Sequence, residues 1–518
     1  MKRVEACASA ANEIKLTTSS PKIRWAVFIG LALLALAIRV PQLGERPMHT
    51  DESINAYIVG QLLAGKFFQY DPQDRHGPAL AAETLPVVHW LGAKNFATLT
   101  ESQLRLVPVL TGAATVLLFG AGVELFGFTA CFVAALLFAF APLPVYYNRY
   151  FIHETLFVAA TLGLILSGWR ALRKKSLWSA ALAGGCAALM LACKETAVIH
   201  FFALAVTLLV GWFCFGTPVA SPARMNQIPQ PARPKAGAST LKIIFIALTV
   251  FIFTVGLLFT WFGQNWSVFS DLLHAIPSFA ARAGGEGHEK PFWYYAVLLG
   301  GGWSGAAFLC LVVLGIFRAR KSGTRFLLVI YALLITVIYS VIPYKTPWLA
   351  LNLWLPLAIL AGIAIEWIWF AAPKAFAHLL TLIFISVFGF SVAHDTRQWV
   401  FVNPAGEKNP YAYAHTSEDL LRLPGRLEEL VRQHKLSAPR IAVVAADAWP
   451  LPWYLRNFSQ VGFWQPGQDA GAADFFITST DAAEKLGEQL KNFRPEFFGV
   501  RPEVLLILWV PLPVENKP

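Results

Sequence analysis

The chain has 518 residues, of which 56% are hydrophobic and only 14% charged, with a formal net charge of +11. A soluble domain carries about 25% charged residues, so this composition excludes a soluble globular protein and points to a polytopic membrane protein. No basic patch falls on a soluble module, so the positive charge belongs to cytoplasmic loops and no nucleic-acid partner is expected.

Residues 1–24 are polar, with Lys2, Arg3, Lys15, Lys22 and Arg24. The apolar run after them has no small-residue cleavage site, so a cytoplasmic tail and an uncleaved first helix are expected. About 20 apolar residues span a bilayer. On that measure about eleven transmembrane helices fit, near 25–41, 105–126, 128–147, 152–171, 177–193, 197–215, 241–263, 292–316, 326–343, 348–370 and 376–393. A large polar loop, 42–104, separates the first two. The connection 216–240 is rich in Pro, Ala and Ser and is predicted to be a flexible cytoplasmic linker. Residues 394–518 carry more charge, with strand-like runs at 441–446, 475–478 and 505–510 and helical patterns near 417–435 and 481–491. That alternation predicts a small α/β domain. The six cysteines form no Cys-x-x-Cys pair and suggest no disulfide framework.

Basic residues cluster on every second connection: Arg170, Arg173, Lys174 and Lys175; Arg224, Arg233 and Lys235; Arg318, Arg320, Lys321 and Arg325; then Lys374. The positive-inside rule puts these loops and the N-terminus in the cytoplasm, and the C-terminal domain outside a plasma membrane.

With that topology, five connections bring ionisable groups to the outer face. They are Asp51, Glu52, Arg75, His76, Glu83 and His89 in the first loop; Arg149, His153 and Glu154; Lys194 and Glu195; His274, Arg282, Glu286, His288, Glu289 and Lys290; and Tyr344 and Lys345. Each has a structural alternative. Thr50 or Asp51 can cap a helix. Arg149 and His153, four apart, can pair structurally with Glu154 or touch a lipid headgroup. Lys194 and Glu195 can be a buried ion pair, Tyr344 and Lys345 an interfacial anchor with Trp348, and His76-Gly77-Pro78 a turn. Taken together, a carboxylate beside an apolar cavity can act as a general base, and Arg149, Lys194 and Lys345 can neutralise a phosphate leaving group. The set suggests group transfer from a lipid-linked phosphate at the outer surface. Transporters instead hold their charge near the midplane, on broken helices.

These residues also carry a resemblance. His49-Thr50-Asp51-Glu52, His76-Gly77-Pro78, Arg149 to Glu154, Lys194-Glu195-Thr196, Tyr344 to Trp348, Asn409-Pro410-Tyr411 and Trp449 to Tyr454 appear in that order. The layout resembles the GT-C class of integral membrane glycosyltransferases, and within it the protein mannosyltransferase and aminoarabinose transferase group, family 39. It is most like the bacterial and archaeal family described as flippase-activity-associated. The resemblance implies a polyprenyl-phosphate-linked sugar donor, a glycan, lipid or protein acceptor, and inversion at the anomeric carbon. It makes Asp51 the candidate base and Glu154 the second acidic position, with Arg149 and Lys194 on the donor phosphate. Glu52, His76, His153, Glu195, Tyr344 and Lys345 complete the candidate set, and Glu52 is also the position for an optional divalent metal. The alternative reading is a non-enzymatic flippase partner or lipid-linked glycan transporter.

Overall fold

The computed structural model describes residues 20–73, 75–216, 238–285, 287–320, 322–371 and 375–512. The expected tail up to residue 19, most of the expected linker with Arg224, Arg233 and Lys235, and Glu286, Lys321, Lys374 and the side chain of Arg282 lie outside the described residues. The chain forms two compact units. One comprises residues up to Pro41, Phe67–Glu83 and Arg105–Val402; the other comprises Gln42–Lys66, Thr84–Leu104 and the chain from Asn403 onward.

The first unit is helical. Among the described residues, nine helices are long and apolar enough to cross a membrane. Counting along the whole chain, the helices are α1 (Pro21–Arg39), α2 (Thr50–Leu63), α3 (Ala79–Trp90), α4 (Glu101–Phe126), α5 (Phe128–Phe140), α6 (Pro142–Tyr147), α7 (Glu154–Lys174), α8 (Leu177–Cys193) and α9 (Ala197–Phe215), of which α2 and most of α3 belong to the second unit, and the expected third and fifth spans are the shorter apolar helices α5 and α8. The run 128–147 breaks at Ala141 because Pro142 and Pro144 have no N–H to continue the ladder, and Pro142 starts a new helix instead. The helices continue with α10 (Ala238–Phe259), α11 (Val268–Ala283), α12 (Tyr294–Gly300), α13 (Gly302–Ala319), α14 (Gly323–Val341), α15 (Ala350–Ala371) and α16 (Ala375–Thr396). The expected span 292–316 is thus divided between α12 and α13 at three consecutive glycines.

Helix α15 is the core of this unit. Every residue from Ala350 to Glu366 is buried, as expected of a helix apolar on all sides. At Gly362 an added Cβ would lie 2.4 Å from the Ala130 carbonyl oxygen of α5. Glycine is what lets these two backbones approach so closely.

The second unit is built from segments distant in sequence. Its sheet runs β2 (Gln460–Trp464), β1 (Arg440–Val444), β3 (Phe475–Thr478), β5 (Val504–Pro511), β4 (Phe493–Arg501). The first three strands are parallel, and β5 is antiparallel to both its neighbours. The three expected strand runs are β1, β3 and β5. Strands β2 and β4 are at the sheet's edges, where Gly462, Arg494, Pro495 and Glu496 dilute the strand pattern. On α17 (Arg422–Gln433), Leu423, Leu427 and Leu430 form the buried stripe.

Helix α18 (Leu451–Tyr454) ties the segments together. Fully buried Trp453 donates its indole N–H to Glu101 at 2.7 Å and meets Phe96 edge-on. The Tyr454 hydroxyl accepts the Met48 N–H at 2.8 Å, and the Thr416 hydroxyl donates to the Met48 carbonyl at 2.6 Å. The stretch just before α2 is therefore held on both sides by the C-terminal segment.

Candidate active site

In the second unit, the N-terminus of α2 presents the first group. His49 is the N-cap. Its Nδ1 accepts the Asp51 N–H at 3.0 Å, and its Nε2 lies 3.1 Å from the Tyr413 carbonyl. An Nδ1 that accepts carries no proton, so Nε2–H donates to Tyr413 and the ring is neutral. Burial, the largest influence, lowers the His49 imidazole below the usual histidine range, against the pull of Asp51 and Glu52. The 4.0 Å approach of His49 Nδ1 to the Asp51 carboxylate is thus not an ion pair. Glu52 is fully buried; it accepts the His49 N–H at 3.2 Å, closing a capping box, and faces Arg46 at 3.5 Å. The adjacent acids therefore differ. Glu52 holds the helix start, while the Asp51 side chain is 43% exposed. Within its unit no lysine or arginine among the described residues pairs with Asp51.

In the first unit a buried polar cluster forms where α7, α8 and α9 meet the segment before α3. The Lys194 ammonium lies 2.5 Å from the Glu154 carboxylate, with side chains 11% and 2% exposed. Burial favours the neutral amine, but Glu154, with Tyr344 and Glu195 in support, holds Lys194 above the ordinary lysine value. The next residue, Glu195, accepts from His76 at 3.0 Å and from the Tyr70 hydroxyl at 3.0 Å. Burial would raise this carboxyl, but His76, the backbone and Tyr70 together bring it down to about 2. His153 stands edge-on to His76 at 5.3 Å. Burial first, then the charges of His76 and Lys194, push its imidazole well below the usual range. Gly77 makes this assembly fit: an added Cβ would lie 2.2 Å from the Ala192 carbonyl oxygen, two residues before Lys194.

The remaining expected residues have other neighbours. Arg149 donates to the Arg39 and Pro41 carbonyls at 2.7 and 2.5 Å and lies over the Phe401 ring, so it caps the end of α1. Lys345 is buried and donates to the Ile342 and Lys290 carbonyls at 2.5 and 3.0 Å. Tyr344 pairs its backbone with Glu289, and its ring meets His288 at 4.9 Å. Among the described residues no three His, Cys, Asp or Glu side chains are grouped to hold a metal ion.

Two further polar residues of this unit stand outside the candidate set drawn from sequence, although Glu83 is among the ionisable groups of the first loop. Tyr70 belongs to no motif, and only the fold brings it to Glu195. Glu83 accepts the Thr111 hydroxyl at 2.6 Å, while its other oxygen is buried with no partner among the described residues. Burial raises this carboxyl, against the Thr111 bond.

Residues 83–221 match the family model described as dolichyl-phosphate-mannose-protein mannosyltransferase. No curated protein matches the chain in sequence. Among solved structures, the chain is similar to ArnT from Cupriavidus metallidurans in the apo state, with a TM-score of 0.62 at 15% identity, covering 94% of this chain and 98% of that one. For the same protein bound to undecaprenyl phosphate the TM-score is 0.61 at 14% identity, covering 92% and 97%. The archaeal oligosaccharyltransferase AglB from Archaeoglobus fulgidus, in complex with an inhibitory peptide and a dolichol-phosphate, gives 0.52 at 13% identity, covering 94% and 76%. The chain is a polytopic α-helical membrane protein with the fold of the GT-C glycosyltransferases.

Proposed function

We propose that the protein transfers a sugar from a polyprenyl-phosphate-linked donor to an acceptor hydroxyl on the extracytoplasmic side of the plasma membrane. The observation that carries the reading is the Asp51 carboxylate, half-exposed at a helix start beside a neutral histidine. Such a group is open to an incoming hydroxyl and not spent on a cation, as a general base requires. Asp51 takes the acceptor proton as the acceptor oxygen bonds to the anomeric carbon. The bond from that carbon to the phosphate oxygen breaks, inverting the centre, and the polyprenyl phosphate leaves with one more negative charge. Lys194 meets that charge, with its ammonium shared between the phosphate and Glu154. Glu52 and His49 position Asp51 through the α2 cap; His76, Glu195 and His153 hold the Lys194 turn. Arg149 and Lys345 act through backbone carbonyls. The similarity to a solved structure bound to undecaprenyl phosphate supports the donor class. The basic residues on alternate connections support a cytoplasmic N-terminus and an extracytoplasmic C-terminal domain.

The test replaces Asp51 with Asn in proteoliposomes supplied with a radiolabelled polyprenyl-phosphate sugar. Loss of a general base lowers the rate by about 10²–10⁴-fold, with expression unchanged. Transfer near the wild-type rate would remove Asp51 from the chemistry. Lipid-linked glycan that crosses the bilayer with no glycosidic bond exchanged would favour the transport reading.

A further inference from the structure

We propose that a polar cavity of about 450 Å³ beside Tyr70 binds the sugar group of the donor and selects neutral or amino sugars over acidic ones. The inference rests on the proposed function and extends it to the class of sugar. The cavity lies within the first unit, between the segment before α3 and the one joining α10 to α11. Gln69, Asp71, Arg75, Asn265, Ser267 and Asp271 line it. Its volume falls within the roughly 300–1,000 Å³ of small-molecule sites.

The walls are fixed by contacts beneath them. Phe68 stacks on Trp261 at 5.9 Å, and Tyr70 meets Phe259 edge-on at 5.2 Å. The Asn265 side-chain amide donates to the Phe68 carbonyl at 3.5 Å, and Ser267 donates to Asn265 at 2.7 Å. Two segments far apart in sequence are therefore clamped in register, so little ordering is left for binding. The lining offers amide, hydroxyl, carboxylate and guanidinium groups, which suits a ligand made of hydroxyls. It holds two carboxylates and one guanidinium, so a second anion entering it is repelled. Tyr70 links the cavity to the proposed phosphate site: it lines the cavity and donates its hydroxyl to Glu195, the neighbour of Lys194 in the chain. A donor with its phosphate at Lys194 has a place for its sugar on the Tyr70 side.

The experiment measures binding of full-length protein in nanodiscs to undecaprenyl phosphate, undecaprenyl-phosphate mannose, undecaprenyl-phosphate aminoarabinose and undecaprenyl-phosphate glucuronate. Wild type should bind the mannose or the aminoarabinose lipid at least about tenfold more tightly than the glucuronate lipid. The double variant Asp71→Asn, Asp271→Asn should bring that ratio to within about threefold. Its affinity for undecaprenyl phosphate should stay at the wild-type value, which also shows that it folds. A wild-type ratio near one, or a double variant that keeps the wild-type ratio, overturns the subsite. Failure of wild type to bind undecaprenyl phosphate itself overturns the proposed function and the subsite with it.

Discussion

The Glu154–Lys194 pair is the most exacting point at which to perturb the site. At 2.5 Å and an effective dielectric of about 20, the gross attraction is about 7 kcal/mol. Withdrawing both ions from water costs several kcal/mol each, so the intact pair adds little net stability. Removing one partner is different, because it leaves a buried charge alone. Glu154→Gln or Lys194→Met should each cost about 3–5 kcal/mol, and the double variant should recover most of that loss. Unfolding free energies in mixed micelles test this, with sugar transfer measured in parallel. The double variant should be folded yet inactive, because the group proposed to meet the leaving phosphate is gone. The pH dependence has a definite sign. Lys194 is held above its ordinary value of 10.5, so the contribution of its pairing is complete below pH 10.5 and is lost only as the pH rises through the folded-state value. Single variants within about 1 kcal/mol of wild type, or a double variant no more stable than the weaker single, would refute the reasoning.

Other perturbations read other parts of the fold. Gly77→Ala forces its Cβ against the Ala192 carbonyl and should cost about 1–3 kcal/mol, with lower transfer activity, by thermal melting and assay together. Glu195 falls from an ordinary 4.5 to about 2, so its stabilisation is complete above pH 4.5 and is lost as the pH falls toward 2, by about 3 kcal/mol at most. Acid titration of Glu195→Gln should lack that component, and an unchanged acid limb would count against the His76 contact. His49→Ala removes the N-cap acceptor of α2 and should cost about 1 kcal/mol in denaturant unfolding. It should also lower the turnover number, because Asp51 loses the bond that sets its position; an unchanged value would separate the cap from the base.

The sequence by itself determined what long apolar runs and periodic patterns determine. Hydropathy located nine of its eleven expected spans as helices long and apolar enough to cross a membrane among the described residues, and the other two as shorter apolar helices, because a span must satisfy its own backbone bonds and carries its signal locally. The strands β1, β3 and β5 were legible as apolar runs, while the edge strands β2 and β4, diluted by glycine, proline and charge, were not. The breaks at Pro142 and Gly301 interrupt hydrophobic runs without ending them, so hydropathy alone passed over them. Residue type and order also singled out Asp51, Glu154 and Lys194.

What surrounds each of these residues was decided by tertiary structure. Adjacent Asp51 and Glu52 are equivalent in composition, yet the cap and Arg46 occupy Glu52 and leave Asp51 half-exposed. Arg149 was selected by its charge and its motif, and the fold gives it the backbone carbonyls at the end of α1, partners no motif encodes. Tyr70 and Glu195, far apart in the chain, meet only because Gly77 lets one backbone lie against another. The stretch before Asp51 and the tail segment around Tyr454 belong to one compact unit. Contacts between distant segments leave no local periodicity for a sequence reading to find, and here those contacts set which charges are committed to partners and which stay exposed.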